Sequence, residues 1–379
     1  MISDEFAESR TRRTLTAGGR VLRALRLDGP LTGALAAVIT IGFLVVYSAS
    51  GQNLNVMEHH IANLGVAVTA MIFLARFATP QYLRLFAPVA YVIGIVLLIV
   101  VDFTGHVGKG AQRWLDIAFI RFQPSEIMKL AVPMVCAWYM HERPQPPTAR
   151  DLLVLGLLIA IPTALIVKQP DLGTALLIAS SGLILILLAG LQVSIILASI
   201  PVVAGVAWAG WHFMHEYQRQ RVLTFLNPQN DPLGTGYHII QSQIAIGSGG
   251  VFGKGYMNGS QAQLEFLPER STDFIFAVIG EEFGLLGQLL VLALYGAIIA
   301  RALYMAMQAQ DTFSRLTGGT IALSFFVYVF VNSGMVSGIL PVVGVPLPLI
   351  SYGGTSMVTL LAGFGILSSL HSHRKLVGS

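Results

Sequence analysis

Charge and cysteine are both scarce in this chain, and each shortage excludes something. Only 11% of its 379 residues are Asp, Glu, Lys or Arg, where a soluble domain carries about 25%. A soluble globular fold sized by its length is therefore excluded. Cysteine occurs once, at Cys136, within an apolar run. One thiol forms no internal disulfide, no CxxC redox pair and no cysteine-based metal finger. The sequence has no low-complexity tract, no stretch that reads as a soluble domain and no convincing internal repeat. The net charge of +4 is small, and nucleic acid is not an expected partner. No cleavable signal peptide is evident: residues 1–30 are polar and rich in arginine, and the first apolar run is long enough to span a bilayer.

What the chain has is hydrophobicity. Hydrophobic residues make up 54% of it, and the mean hydropathy is +0.71. A bilayer core needs roughly 17–25 mostly apolar residues per helix. Ten candidate spans meet or approach that length, at 31–50, 60–76, 84–101, 123–140, 152–167, 173–190, 193–213, 283–306, 317–337 and 353–371. The predicted class is an all-α polytopic membrane protein of about ten transmembrane helices. Spans six and seven are joined by a tight Gly190-Leu191-Gln192 link, which predicts a helical hairpin. A tail at 1–30 precedes one transmembrane domain at 31–371, and a short tail at 372–379 follows it. The larger share of the 23 Lys and Arg falls on the side of the N-terminus, which places both termini in the cytoplasm. The long polar segment 214–273, between helices seven and eight, is then extracytoplasmic. The basic residues at 102–122 run against this bias, which assigns them a task.

Several stretches could carry chemistry. Gln123-Pro124-Ser125-Glu126 reads as a helix start, with proline in the first turn and an acid complementing the helix dipole. Glu126 and Lys129 follow at i, i+3 on one helix face. Their pairing serves either structure or function, since intramembrane charges do both. Arg113-Trp114 reads as an interfacial anchor, or else Arg113 or Lys109 meets an anionic headgroup. Asp171 follows Pro170 and suits a helix N-cap, with Lys168 near enough in sequence for a local ion pair. The glycines from Gly247 to Gly255 fit neither nucleotide-binding pattern, because Ser248, Phe252 and Gly255 stand at the wrong places. A glycine-rich backbone close to a pyrophosphate stays open. Leu267-Pro268-Glu269-Arg270-Ser271-Thr272-Asp273 leads a carboxylate into apolar sequence, where it is costly without work or a partner. Asp273 is thus a candidate base, with helix capping as the competing role. Glu281 and Glu282 are expected to face the bundle interior or solvent. Residues 340–354 are apolar, uncharged and full of helix breakers, which predicts a re-entrant loop or a cavity lining. The pairs His59-His60 and His371/His373 read as solvated.

Taken together and in order, Gln123-Pro124-Ser125-Glu126, Lys129, residues 168–174, Gly236-Tyr237-His238, Leu267-Pro268-Glu269, Thr272-Asp273-Phe274-Ile275-Phe276, Glu281-Glu282 and residues 348–354 resemble the SEDS family (shape, elongation, division and sporulation). The likeness runs from about residue 31 to 371. It implies a ten-helix glycosyltransferase of the bacterial cytoplasmic membrane that polymerises lipid II into peptidoglycan strands. A class B penicillin-binding protein is the implied partner. Asp273 matches the essential aspartate of the family, Glu126 and Lys129 its paired cavity residues, and Asp171 a further important acid. Ser271 stands where the family usually has histidine. The expected reaction is one inverting displacement, with Asp273 as general base. The leaving polyprenyl pyrophosphate is held by cations drawn from Arg113, Lys129, Arg219, Arg221, Lys254 and Arg270, or by a divalent metal such as Mg or Mn. A lipid flippase, or a scaffold that activates a transpeptidase, is the alternative.

Overall fold

The computed structural model describes residues 17–104, 106–108, 111–117, 120–191 and 234–373, with isolated positions between 195 and 227. A short helix α1 (Ala17–Ala24) precedes the bundle. Helices α2 (Gly29–Ala49), α3 (Leu54–Phe77) and α4 (Pro80–Thr104) follow. A small antiparallel sheet comes next, with strands β1 (His106–Gly108), β2 (Ala111–Ile117) and β3 (Ile120–Phe122) in that order. Its register pairs His106 with Trp114 and Leu115 with Phe122. Then come α5 (Pro124–Met140), α6 (Ala149–Lys168), α7 (Leu172–Leu188), α8 (Thr235–Gly249), the one-turn α9 (Ser260–Gln263), α10 (Ile275–Met307), α11 (Thr312–Val336) and α12 (Gly354–Ser372).

Capping residues set the helix starts. Asp28, Asn53, Asp171 and Asp311 each accept a backbone N–H from the first turn of α2, α3, α7 and α11. Thr148 and Asp151 form a reciprocal capping box at α6. Nine of the ten expected spans coincide with helices. Most of the tenth, 193–213, lies outside the described residues, as do most of residues 214–233. Among the described residues seven helices are long and apolar enough to cross a membrane, and α7 is a shorter apolar one. The expected boundaries at 60–76 and 152–167 are too tight, because polar capping turns extend both helices.

The helix expected at 283–306 starts at Ile275 instead. Its first two turns carry Glu281 and Glu282, which an apolarity criterion reads as lying before the span. Both are fully buried. The helix kinks at Gly284, with φ 65° and ψ −164°, a conformation open to glycine alone at low cost. The glycine-rich segment docks on this kink. Lys254 and Gly255 donate their N–H groups to the carbonyls of Glu281 and Glu282, at 2.9 and 3.0 Å, and Leu285 and Leu286 return bonds to Gly250 and Val251. Gly253 (φ 80°) is packed so closely that a Cβ there would lie 2.2 Å from the Glu282 carbonyl oxygen. These glycines therefore serve backbone-on-backbone contact.

Two large apolar clusters build the core, beside a small third one of Leu177, Tyr328, Val331 and Val345. One gathers α2, α3, α10, α11 and α12. The other gathers α4 to α7, with Phe313, Leu316, Ile366 and Leu370 contributed by α11 and α12. The elements of the two clusters meet around a cavity at one end of the bundle.

Candidate active site

The cavity has a volume of about 240 Å³. Arg113 and Trp114 reach it from β2, Gln123, Glu126 and Lys129 from the start of α5, and Asp171, Thr174 and Leu177 from the start of α7. Glu269, Thr272 and Asp273 enter from the segment leading into α10. Gly344, Val345 and Pro346 close it with Tyr352 and the first residues of α12. All of these lie at the end of the bundle opposite Gly29 of α2 and Ser372 of α12.

Lys129 Nζ lies 2.7 Å from Glu126 Oε1, with both side chains more than nine-tenths buried. The second oxygen of Glu126 is buried and accepts no hydrogen bond. Lys129 also sits 5.4 Å from the centre of the Tyr328 ring and lines a smaller apolar cavity with Pro133, Phe325 and Phe364. It is therefore the deepest charge of the site. An ammonium held by one carboxylate and a ring face is oriented without being neutralised by a second acid.

Asp171 does cap its helix, accepting from Thr174 N at 3.2 Å. It also accepts from Gln123 Nε2 at 3.1 Å and lies 3.7 Å from Arg113 Nη1. Arg113 donates further to the carbonyls of Gln169 and Pro170. The expected Lys168–Asp171 pair does not form. Lys168 pairs with Asp102 at 3.1 Å, because the helix cap turns Asp171 toward the cavity.

The N-cap of α10 is Phe274, which carries no side-chain cap bond. The turn before it is tied by Thr272 N and Phe274 N, which both donate to the Glu269 carbonyl at 3.1 and 3.2 Å. Glu269 holds φ 51°, a costly value for a residue with a Cβ and one that clusters at functional sites. Asp273 Oδ2 faces Gly344, where an added Cβ would stand 3.4 Å away.

Two expected site residues lie elsewhere. Lys254 pairs with buried Glu281 at 2.7 Å and bonds Ser260. Arg270 donates to the Ala49 carbonyl at 2.6 Å and pairs with Glu265 at 2.9 Å. Both serve the seam between α2, α9 and α10, where the buried Glu281 and the bare end of α2 need donors. Lys109 and Arg221 lie outside the described residues, and Arg219 bonds the His212 carbonyl. The glycine run, docked on the α10 kink, is likewise absent from the cavity lining. The solvated reading fails for His60, which is buried between Phe43 and the cavity-lining Tyr352. Glu269 and Tyr352 stood in the recognised motifs without a role assigned to them. Among the described residues no group of three His, Cys, Asp or Glu side chains is placed to share a metal ion.

A family model for FtsW, RodA and SpoVE, described as a cell cycle protein, matches residues 30–376. The chain is 51% identical over 354 residues to the peptidoglycan glycosyltransferase MrdB of Escherichia coli, covering 93% of this chain and 95% of that one. A solved chain from work on how a peptidoglycan synthase complex coordinates polymerization and crosslinking superposes with a TM-score of 0.81, at 32% identity, over 92% of this chain and 98% of that one. The rod shape determining protein RodA of Thermus thermophilus superposes with a TM-score of 0.70, at 28% identity, over 92% and 97%.

Proposed function

The chain belongs to the FtsW, RodA and SpoVE family, and from that membership we propose that the cavity at the end opposite Gly29 and Ser372 is the place where it links sugars. It is an integral membrane protein and a peptidoglycan glycosyltransferase. Lipid II is the proposed substrate. The proposed setting is cell elongation, at the outer face of the cytoplasmic membrane with both termini inside. The proposed partner is a class B penicillin-binding protein that crosslinks the strands.

The observation that carries the site is convergence. Asp273, Glu126, Lys129, Asp171 and Arg113 come from four separate segments of the chain and line one cavity. The reaction assigned to it is a single displacement. A sugar hydroxyl oxygen of the acceptor bonds to the anomeric carbon of the donor. The bond from that carbon to the phosphate oxygen breaks, and the polyprenyl pyrophosphate leaves with the electron pair. The hydroxyl proton passes to the Asp273 carboxylate. General-base help of this kind contributes roughly 10²–10⁴-fold. Attack opposite the leaving group inverts the anomeric configuration. Arg113 on one wall and Lys129 at the floor are the fixed cations for the pyrophosphate. A Mg or Mn ion, as the expected metal, would come in on the pyrophosphate, with one or two cavity carboxylates completing its shell. Both substrates are anchored in the bilayer, which raises their effective concentration at the cavity.

Purified chain in proteoliposomes with labelled lipid II tests this reading. Glycan polymer is the expected product. Lipid II carried across the bilayer without polymer would assign the chain to transport instead. Activity that appears only when a partner polymerase is added would make it a scaffold.

A further inference from the structure

Three consecutive carbonyls precede α10, and each is held by a different group. The Ser271 carbonyl accepts from Tyr352 N at 2.8 Å. The Thr272 carbonyl accepts from Ser351 Oγ at 2.5 Å. The Asp273 carbonyl accepts from Asn332 Nδ2 at 2.8 Å. The two side chains each have a second grip. Asn332 Nδ2 also donates to the Val345 carbonyl at 2.7 Å, and Ser351 Oγ accepts from Leu347 N at 2.8 Å. Both residues are buried, Asn332 completely. The broken loop at 340–353 is thereby bonded to the strand of backbone that carries Asp273, and both form cavity wall.

We propose that Asn332 and Ser351 are positioning residues for the glycosyl transfer, a reading that rests on Asp273 as the base. Their hydrogen bonds reach the carbonyls of Thr272 and Asp273. They fix the main chain on either side of its Cα and set the distance between its carboxylate and the Gly344–Pro346 wall. Asn332 uses both amide hydrogens this way, while its Oδ1 is buried and accepts nothing. Its place there is thus as a double donor, and the orphaned oxygen is a cost borne for it. A base displaced by about 1 Å loses up to roughly 10²-fold in rate.

The test compares Ser351→Ala, Ser351→Thr, Asn332→Ser and Asp273→Asn, purified and assayed for strand synthesis per folded molecule across lipid II concentrations. Ser351→Ala and Asn332→Ser are expected to lower turnover about 10- to 100-fold with KM changed less than about threefold. Ser351→Thr, which keeps the hydroxyl, is expected to stay within about threefold of the parent. Turnover unchanged in Ser351→Ala and Asn332→Ser while Asp273→Asn is dead would overturn the clamp and leave the base standing. A loss confined to thermal midpoint and folded yield would overturn it too, as would a threonine variant no better than alanine. An active Asp273→Asn would instead remove the base on which the proposal depends.

Discussion

At the scale of single residues, the Glu126–Lys129 pair shows how a structural and a chemical role can be separated. Both side chains are more than nine-tenths buried. Removing one partner from such a pair leaves an uncompensated charge, at a cost of about 3–5 kcal/mol, whereas replacing both is often close to neutral. Lys129→Met is therefore expected to lower the thermal midpoint sharply and to abolish strand synthesis. The double variant Glu126→Gln, Lys129→Met should recover most of the midpoint but not the activity, because the cation proposed for the pyrophosphate is still missing. Scanning fluorimetry and polymer yield per folded molecule read the two effects separately. Recovery of both together would mean that the pair serves only to hold α5.

At the scale of elements, the kinked helix α10 organises the half of the bundle that holds the cavity. Its kink is stabilised from outside by the 249–255 backbone, so the glycines there have a packing role that substitution should expose. Gly253→Ala combines a positive φ with contact on the Glu282 carbonyl and should cost on the order of 1–3 kcal/mol, visible as a lower unfolding midpoint. A midpoint unchanged within a degree would show that the segment is not docked. The far end of the same helix is tied to α2. Arg301 Nε and Nη2 donate to both oxygens of Asp28, at 2.9 and 2.7 Å. Burial alone would raise the Asp28 carboxyl, but the Arg301 hydrogen bonds, the Leu31 N–H and the Arg301 charge together outweigh it and hold it below its ordinary value of 3.8. A depressed acid adds stability that is fully present above its unfolded value and fades as pH falls through the folded one. The stability gap between the parent and Asp28→Asn should be constant near neutrality and close below about pH 4. A gap that persists unchanged at lower pH would contradict this.

At the scale of the whole molecule, hydropathy carries most of the architecture. Nine expected spans are helices, because roughly twenty apolar residues have few other folded states in a bilayer. The acid pair at Glu281 and Glu282 misled the start of α10, since burial by a distant glycine loop leaves no mark in local composition. The cavity was half legible. Asp273, Glu126, Lys129, Asp171 and Arg113 stand out as charges in apolar surroundings. Lys254 and Arg270 stand out equally, yet they pair within a seam, and only tertiary contact separates the two groups. Asn332 and His60 carried no signal at all, because an uncharged polar residue within a helix looks the same buried or exposed. The inferred topology is open to labelling. Cys136 is buried, so background reaction is low. A cysteine at Glu265, whose side chain is 76% exposed, should react with an impermeant maleimide added outside intact cells, and one at Gln145 should not. The reverse pattern would invert the orientation. The Asp273 carboxylate is the group on which strand synthesis depends, and synthesis from purified lipid II by Asp273→Asn measures that dependence most directly. A folded, membrane-inserted variant that makes no polymer is the predicted result. Strands of near-normal length and yield from that variant would contradict it.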